Sequence, residues 1–184
     1  RTSPGYRKLL NFCRASSRDH GFMLGWMDIL CINKESSAEL CESIRSMYKC
    51  YASSQVCVVY LAQMEALSDM HSDPWFTRGW TLPELLAPAT VKFYNRDWEP
   101  FLQKFENDKK CSQIREQIVT ATSILFNIHN APFSRRMQMA ATREVTHEED
   151  MAYSLNRIFD VSISTAYGEG AERAFFRLLQ EILK

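Results

Sequence analysis

Gln55-Val56-Cys57-Val58-Val59-Tyr60-Leu61 is a short, uncharged run rich in β-branched residues, the composition of a strand buried within a sheet. Just upstream, Leu40, Ile44, Met47, Tyr48 and Tyr51 recur at helical spacing and form a core-facing stripe. That helix has a start signal, since Ser36 followed by Glu39 has the spacing of a capping box, and Asn33 to Ser37 reads as the loop before it. Further back, Phe22 to Ile32 is almost continuously apolar and is expected as a second strand buried on both faces. Tyr6 to Ser16 is expected as an amphipathic helix ended by the polar cluster Ser16-Ser17-Arg18-Asp19. Helix, strand, helix, strand at these spacings predicts parallel β-α-β units with right-handed crossovers.

One carboxylate, Asp28, interrupts the expected Phe22–Ile32 strand. A buried carboxylate is costly unless it is hydrogen-bonded or faces a cavity. Asp28 is therefore either a satisfied acceptor for neighbouring loop backbone or a ligand contact.

Downstream, Ala62 to Thr77 is a long connection with a short helix expected near Met64 to Leu67, and Thr90 to Tyr94 is expected as a third strand at a sheet edge. Between them lies Arg78-Gly79-Trp80-Thr81-Leu82-Pro83-Glu84-Leu85-Leu86-Ala87-Pro88. Thr81 and Glu84 have capping-box spacing, Pro83 suits a first turn, Trp80 and Leu85 suit a hydrophobic staple, and Pro88 keeps the helix short. Glu84 therefore has two readings, helix cap and reactive carboxylate. They are compatible if the carboxylate changes partner when substrate binds.

Beyond Phe101 the expected elements are helical: Cys111 to Ile124, Arg135 to Thr142, Glu148 to Phe159 and Glu172 to Leu183, with a third capping box at Thr146 and Glu149. Tyr167-Gly168-Glu169-Gly170 precedes the last helix and reads as a turn ahead of a phosphate cradle, since its spacing fits no nucleotide-binding fingerprint. The organisation expected is an α/β part over residues 1–100 and a helical part over 101–184 of the same domain.

With 184 residues the chain suffices for one well-buried domain, and 46% hydrophobic content with 12% aromatics suits a folded protein. Its 22 basic and 22 acidic residues cancel without long runs, which disfavours nucleic acid as a partner. No apolar run reaches the roughly 18 residues of a spanning helix, so no membrane partner is expected. The cysteines Cys13, Cys31, Cys41, Cys50, Cys57 and Cys111 lack C-x-x-C pairing and are expected as buried thiols of a cytoplasmic protein. His20, His71, His129 and His147 are scattered, so no metal site is expected. A thiol enzyme built on Cys31 or Cys57 is poorly supported, with no histidine nearby in sequence.

These pieces together resemble the fungal heterokaryon incompatibility (HET) domain. The residues that carry the likeness are Trp26 to Lys34, Ser46-Met47-Tyr48, Phe76 to Pro88, Glu149 to Leu155, Ile158-Phe159 and Tyr167 to Gly170, in that order. The resemblance implies a cytoplasmic trigger of programmed cell death when genetically different fungal cells fuse, working with a receptor partner or by self-association. Asn33, Pro83 and Met139 stand where the family usually has Asp, Gln and Trp. The family also begins with a strand ahead of the first helix, which is expected to be missing from this chain.

Trp80 to Leu85 is in addition similar to the third-helix region of TIR domains, which implies a TIR-like, flavodoxin-like parallel sheet flanked by helices, with the later helices as an extension. In catalytic TIR domains the matching glutamate cleaves the nicotinamide–ribose bond of NAD. By that resemblance Glu84 is the candidate catalytic residue and NAD or a related nucleotide the substrate, with no cofactor. The leaving group is already a cationic pyridinium, so one carboxylate facing an oxocarbenium-like ribosyl centre is sufficient. At a helix N-terminus Glu84 is expected to stay ionised near neutral pH. Ligands of open α/β sheets bind at strand C-terminal ends, which nominates Asp28 and Asn33. Trp80 is a candidate wall for the nicotinamide ring, and Arg78 and Arg143 are candidates for pyrophosphate. The competing reading is a non-enzymatic interaction module in which Glu84 only caps its helix.

Overall fold

The structure, a computed structural model, describes residues 3–100 and 132–184. The expected Cys111–Ile124 helix and Cys111 itself lie outside the described residues. Helix α1, Pro4–His20, opens with Ser3 accepting from the Tyr6 amide and with Pro4 in its first turn. It runs one turn past the expected polar stop because its end is tied to the sheet: Tyr94 Oη donates to Asp19 Oδ2 at 3.0 Å, and Arg18 Nε donates to Asp19 Oδ1 at 2.6 Å. Gly21, at φ 68°, supplies the left-handed cap.

The expected strand Phe22–Ile32 does not form. The segment passes over α1 and ends in a single helical turn, α2, Asp28–Cys31. Its apolar side chains face outward, Met23 at 96% and Leu24 at 93% exposure. A strand needs a ladder neighbour, and the sheet among the described residues pairs only β1, Cys57–Tyr60, with β2, Val91–Tyr94. Gly25 crosses so close to α1 that a Cβ there would stand 2.7 Å from Phe12 Cε1, which holds the segment off the sheet. Asp28 thereby sits in a helical first turn, where the dipole favours a carboxylate, rather than inside a buried strand.

Helix α3, Ser37–Ala52, begins as expected at Ser36, whose hydroxyl accepts from the Glu39 amide at 3.3 Å. Only half of the capping box closes, because Glu39 Oε1 accepts from the Asn33 amide instead. β1 and β2 are parallel, with Cys57 opposite Val91 and Tyr60 opposite Tyr94, but the β-α-β unit expected across α3 is absent because its first strand does not form. Their connection holds two 3₁₀ turns, Leu67–Ser72 and Pro74–Phe76, and helix α4, Thr81–Leu86. Alternate residues of β1 serve the two faces of the sheet. Cys57, Val59 and Leu61 join Met64, Met70, Trp75, Phe76 and Phe93 in one core, and Val58 and Tyr60 pack towards Ala15, Tyr94 and Trp98 on the α1 side.

The later helices are α5, Phe133–Ala141, α6, Asp150–Tyr153, and α7, Ala171–Ile182. The single helix expected over Glu148–Phe159 is instead α6 followed by a 3₁₀ turn, Asn156–Ile158. Asn156 accounts for the break, since its buried amide exchanges hydrogen bonds with the Ile163 backbone. Ile44 of α3 and Leu82 of α4 share one core with Met139, Tyr153, Leu155, Ala174 and Leu178. The α/β part and the helices thus bury a common interior. The expected buried thiols are a correction too: only Cys57 is buried among the described cysteines, while Cys13, Cys31 and Cys50 are exposed and Cys41 is intermediate. No described helix is long and apolar enough to cross a membrane.

Candidate functional site

The helix that carries Glu84 is not capped as its sequence implies. Trp80 occupies the cap position in helical geometry, and no side chain accepts there. Thr81 is turned the other way: its Oγ1 lies 2.5 Å from the Trp75 carbonyl and 2.7 Å from the Arg78 carbonyl, which compete for its single proton. The same oxygen accepts from Arg143 Nη1 at 2.8 Å, and Arg143 Nη1 also reaches the Arg78 carbonyl at 2.7 Å. The Arg78–Thr81 corner is held from the later half of the chain as well, by the Gly79 amide donating to the Glu144 carbonyl at 2.8 Å. Gly79 allows this close approach, since a Cβ there would stand 2.4 Å from Val145 Cγ1.

Released from capping, the Glu84 carboxyl takes a hydrogen bond from the indole Nε1 of Trp75 at 3.2 Å. Tyr51 of α3 is a second donor neighbouring it. Trp75 is itself fixed by buried Asp73, whose Oδ1 accepts from the Trp75 amide at 2.9 Å, and by edge contacts with Phe76 and Phe93. Trp26 meets Tyr51 edge-on with ring centroids 5.5 Å apart.

Glu84, Asp28, Arg78, Tyr51, Trp75 and Trp26 all line one cavity of about 550 Å³ between α1, the Gly21–Asp28 segment and β1. That volume is within the roughly 300–1,000 Å³ of small-molecule sites. Burial pushes the Glu84 carboxyl up to about 7, reinforced by the Asp28 charge and opposed by the hydrogen bonds from Trp75 and Tyr51 and by the Arg78 charge. The expectation of a fully ionised glutamate is corrected accordingly, because desolvation outweighs the donors around it. Cys57 shares the cavity wall, and burial, with the Glu84 charge second, raises its thiol to about 12. It remains a neutral thiol at neutral pH.

The structure thus brings Glu84, Asp28 and Arg78 together. It places three other candidates outside the cavity lining. Asn33 lies in the loop before α3, where its side chain accepts from the Glu35 amide. Trp80 packs against the helical core, as does Leu85. Arg143 is 5% exposed and committed to backbone and Thr81 oxygens; burial lowers its guanidinium to about 10, against the pull of the Glu84 charge. Trp75 and Tyr51 are the cavity residues that sequence reasoning misses. Asp73-Pro74 ahead of Trp75 is a signal for the 3₁₀ turn that aims the indole.

The Tyr167–Gly170 turn cradles an anion of its own. Gly168 and Gly170 amides donate to Glu149 Oε1 at 2.7 and 3.2 Å, so the expected Thr146–Glu149 capping box is replaced by this clasp. Its own backbone N–H first, then those of Gly168 and Gly170, hold the Glu149 carboxyl below its usual range. The amides a phosphate would need are already occupied.

Comparison with known proteins agrees with the resemblance. The family model "Heterokaryon incompatibility protein (HET)" matches residues 6–70. The chain is also 36% identical over 195 residues to "Vegetative incompatibility protein HET-E-1" of Podospora anserina, an alignment covering 98% of this chain and 14% of that protein. The chain belongs to the HET family. No solved structure matches. The residues of this HET domain that the family model matches include Asp28 and Tyr51 of the cavity, whereas Trp75, Arg78 and Glu84 fall within the longer alignment.

Proposed function

We propose that this HET domain is a cytoplasmic cell-death effector of fungal self/non-self recognition that cleaves NAD at the nicotinamide–ribose bond, with Glu84 as the catalytic carboxylate. The observation that carries the reading is the carboxyl of Glu84 turned into a cavity shared with Asp28 and Arg78 instead of onto its own helix end. The likeness of Trp80–Leu85 to TIR domains and the parallel β1–β2 pair support the same reading.

In this mechanism ionised Glu84 stands beside C1′ and stabilises the positive charge that grows on the ribosyl centre as the C1′–N bond breaks. The pyridinium leaves as neutral nicotinamide without needing a proton. Water then adds at C1′ and releases one proton to solvent. Trp26 and Tyr51 offer aromatic surface to the nicotinamide ring, Asp28 accepts from ribose hydroxyls and Arg78 holds pyrophosphate. Asn33, Trp80 and Arg143 act from outside this cavity, Arg143 by fixing the corner that presents Arg78.

The second reading, an interaction module that associates with itself or a receptor, is favoured by the apolar Gly21–Cys31 segment. Ile29 and Leu30 are 64% and 57% exposed beside Met23 and Leu24. The two readings separate when wild type and Glu84→Ala are incubated with NAD as monomer and as assembled oligomer. Glu84-dependent nicotinamide release supports the enzyme; folded, assembled protein that releases none supports the module.

A further inference from the structure

We propose that Trp75 is a positioning residue that holds the Glu84 carboxyl, through its indole N–H, in the orientation and charge state the cavity uses. The proposal rests on the enzymatic reading for its consequence in catalysis, but its physical content is independent of substrate.

Trp75 is fixed on every side before it reaches Glu84. Its amide is held by Asp73 Oδ1 at 2.9 Å, while the other carboxylate oxygen of Asp73 accepts from the Gln63 amide at 2.8 Å. Its carbonyl lies 2.5 Å from Thr81 Oγ1, the atom that Arg143 also engages. Its ring meets Phe76 and Phe93 edge-on at 5.1 and 5.8 Å between centroids. The residue is 8% exposed, and Glu84 Oε2 at 3.2 Å is the acceptor of its indole N–H.

An indole is a donor only. It therefore stabilises the carboxylate and cannot serve a neutral acid's O–H as an acceptor. The groups facing Glu84 divide by element. Trp75 from the 3₁₀ turn, Tyr51 from α3 and the Arg78 charge favour ionisation, whereas Asp28 from α2 and the surrounding apolar wall oppose it. Cys57 from β1 is uncharged at neutral pH, and Arg143 adds a buried positive charge behind the corner. Removing one fixed donor from this balance shifts it towards the neutral acid, by an amount comparable to one charge-assisted hydrogen bond.

The test compares wild type with Trp75→Phe and with a variant carrying β-(3-benzothienyl)alanine at position 75, a near-isosteric ring whose sulfur replaces the N–H. The Glu84 side-chain carboxyl is followed by carbon NMR across pH, and nicotinamide release from NAD is measured over the same range. The expected result is a Glu84 midpoint higher by about one pH unit in both variants. The acid limb of the release profile moves up with it, and the rate well above the midpoint falls less than the rate at neutral pH. An unchanged midpoint in the benzothienyl variant overturns the proposal. If wild type releases no nicotinamide, the enzymatic reading fails and the NMR midpoints still decide the role of Trp75.

Discussion

Arg143 and Thr81 are 62 positions apart in sequence, yet Arg143 Nη1 donates to Thr81 Oγ1 at 2.8 Å inside the protein. This contact turns the threonine away from its helix end, and with it goes the capping-box reading of Glu84. Thr81→Val leaves one donor of Arg143 and the Trp75 carbonyl without a partner and lowers stability by about 1–3 kcal/mol. Arg143→Lys does not substitute, because an ammonium cannot span the Arg78, Thr81 and Met139 oxygens that the guanidinium reaches. Urea midpoints of the two variants check both statements.

Gly79→Ala destabilises the same corner through space rather than hydrogen bonding. The new Cβ would meet Val145 Cγ1 at 2.4 Å, closer than side chains approach, at a cost of about 1–3 kcal/mol. Val145→Ala in the Gly79→Ala background recovers much of that loss, and a double-mutant cycle of melting temperatures measures the coupling.

Glu84 makes stability depend on pH in an unusual direction for a carboxylate. Its folded value, about 7, lies above the ordinary glutamate value of 4.5, so the folded state holds the extra proton between the two. The stabilisation is fully present below about 4.5 and is lost as pH rises through about 7, up to about 3 kcal/mol in total. Glu84→Gln removes the titration. Denaturant unfolding at several pH values is expected to give a flatter profile across that window than wild type.

Glu149 predicts the opposite slope. Its carboxyl is held below the usual range by backbone donors, so its contribution is present above the ordinary carboxylate value and is lost as pH falls through the folded one. Glu149→Gln weakens the clasp on the Gly168 and Gly170 amides and flattens the acid limb of stability. Faster hydrogen exchange at those two amides is the direct readout.

The elements legible in the sequence are those whose pattern and partners agree locally. The stripe on α3, the β1 run and the amphipathic α7 each fix their own structure. Phe22–Ile32 misleads because apolarity marks a strand only where a ladder neighbour exists, and here α1 and the Phe12–Gly25 contact hold the segment away. The capping boxes at Thr81 and Glu149 mislead for a related reason, since both side chains find partners 19 or more positions away that no local spacing encodes. Glu84, Asp28 and Arg78 line one cavity, but not by the strand-end geometry that nominated Asp28, because Asp28 stands in the α2 turn and not in a strand. Trp75 and Tyr51 are not legible in the sequence, because their role depends on which way a 3₁₀ turn and a half-buried helix face point.

The most direct measurement is the ratio of nicotinamide released from NAD by assembled wild type and by Glu84→Gln at pH above 7, where the wild-type carboxyl is ionised. Glu84 as the catalytic carboxylate predicts a loss of at least about 100-fold in a variant that keeps its fold. Equal release by the two proteins, or none from folded and assembled wild type, contradicts it.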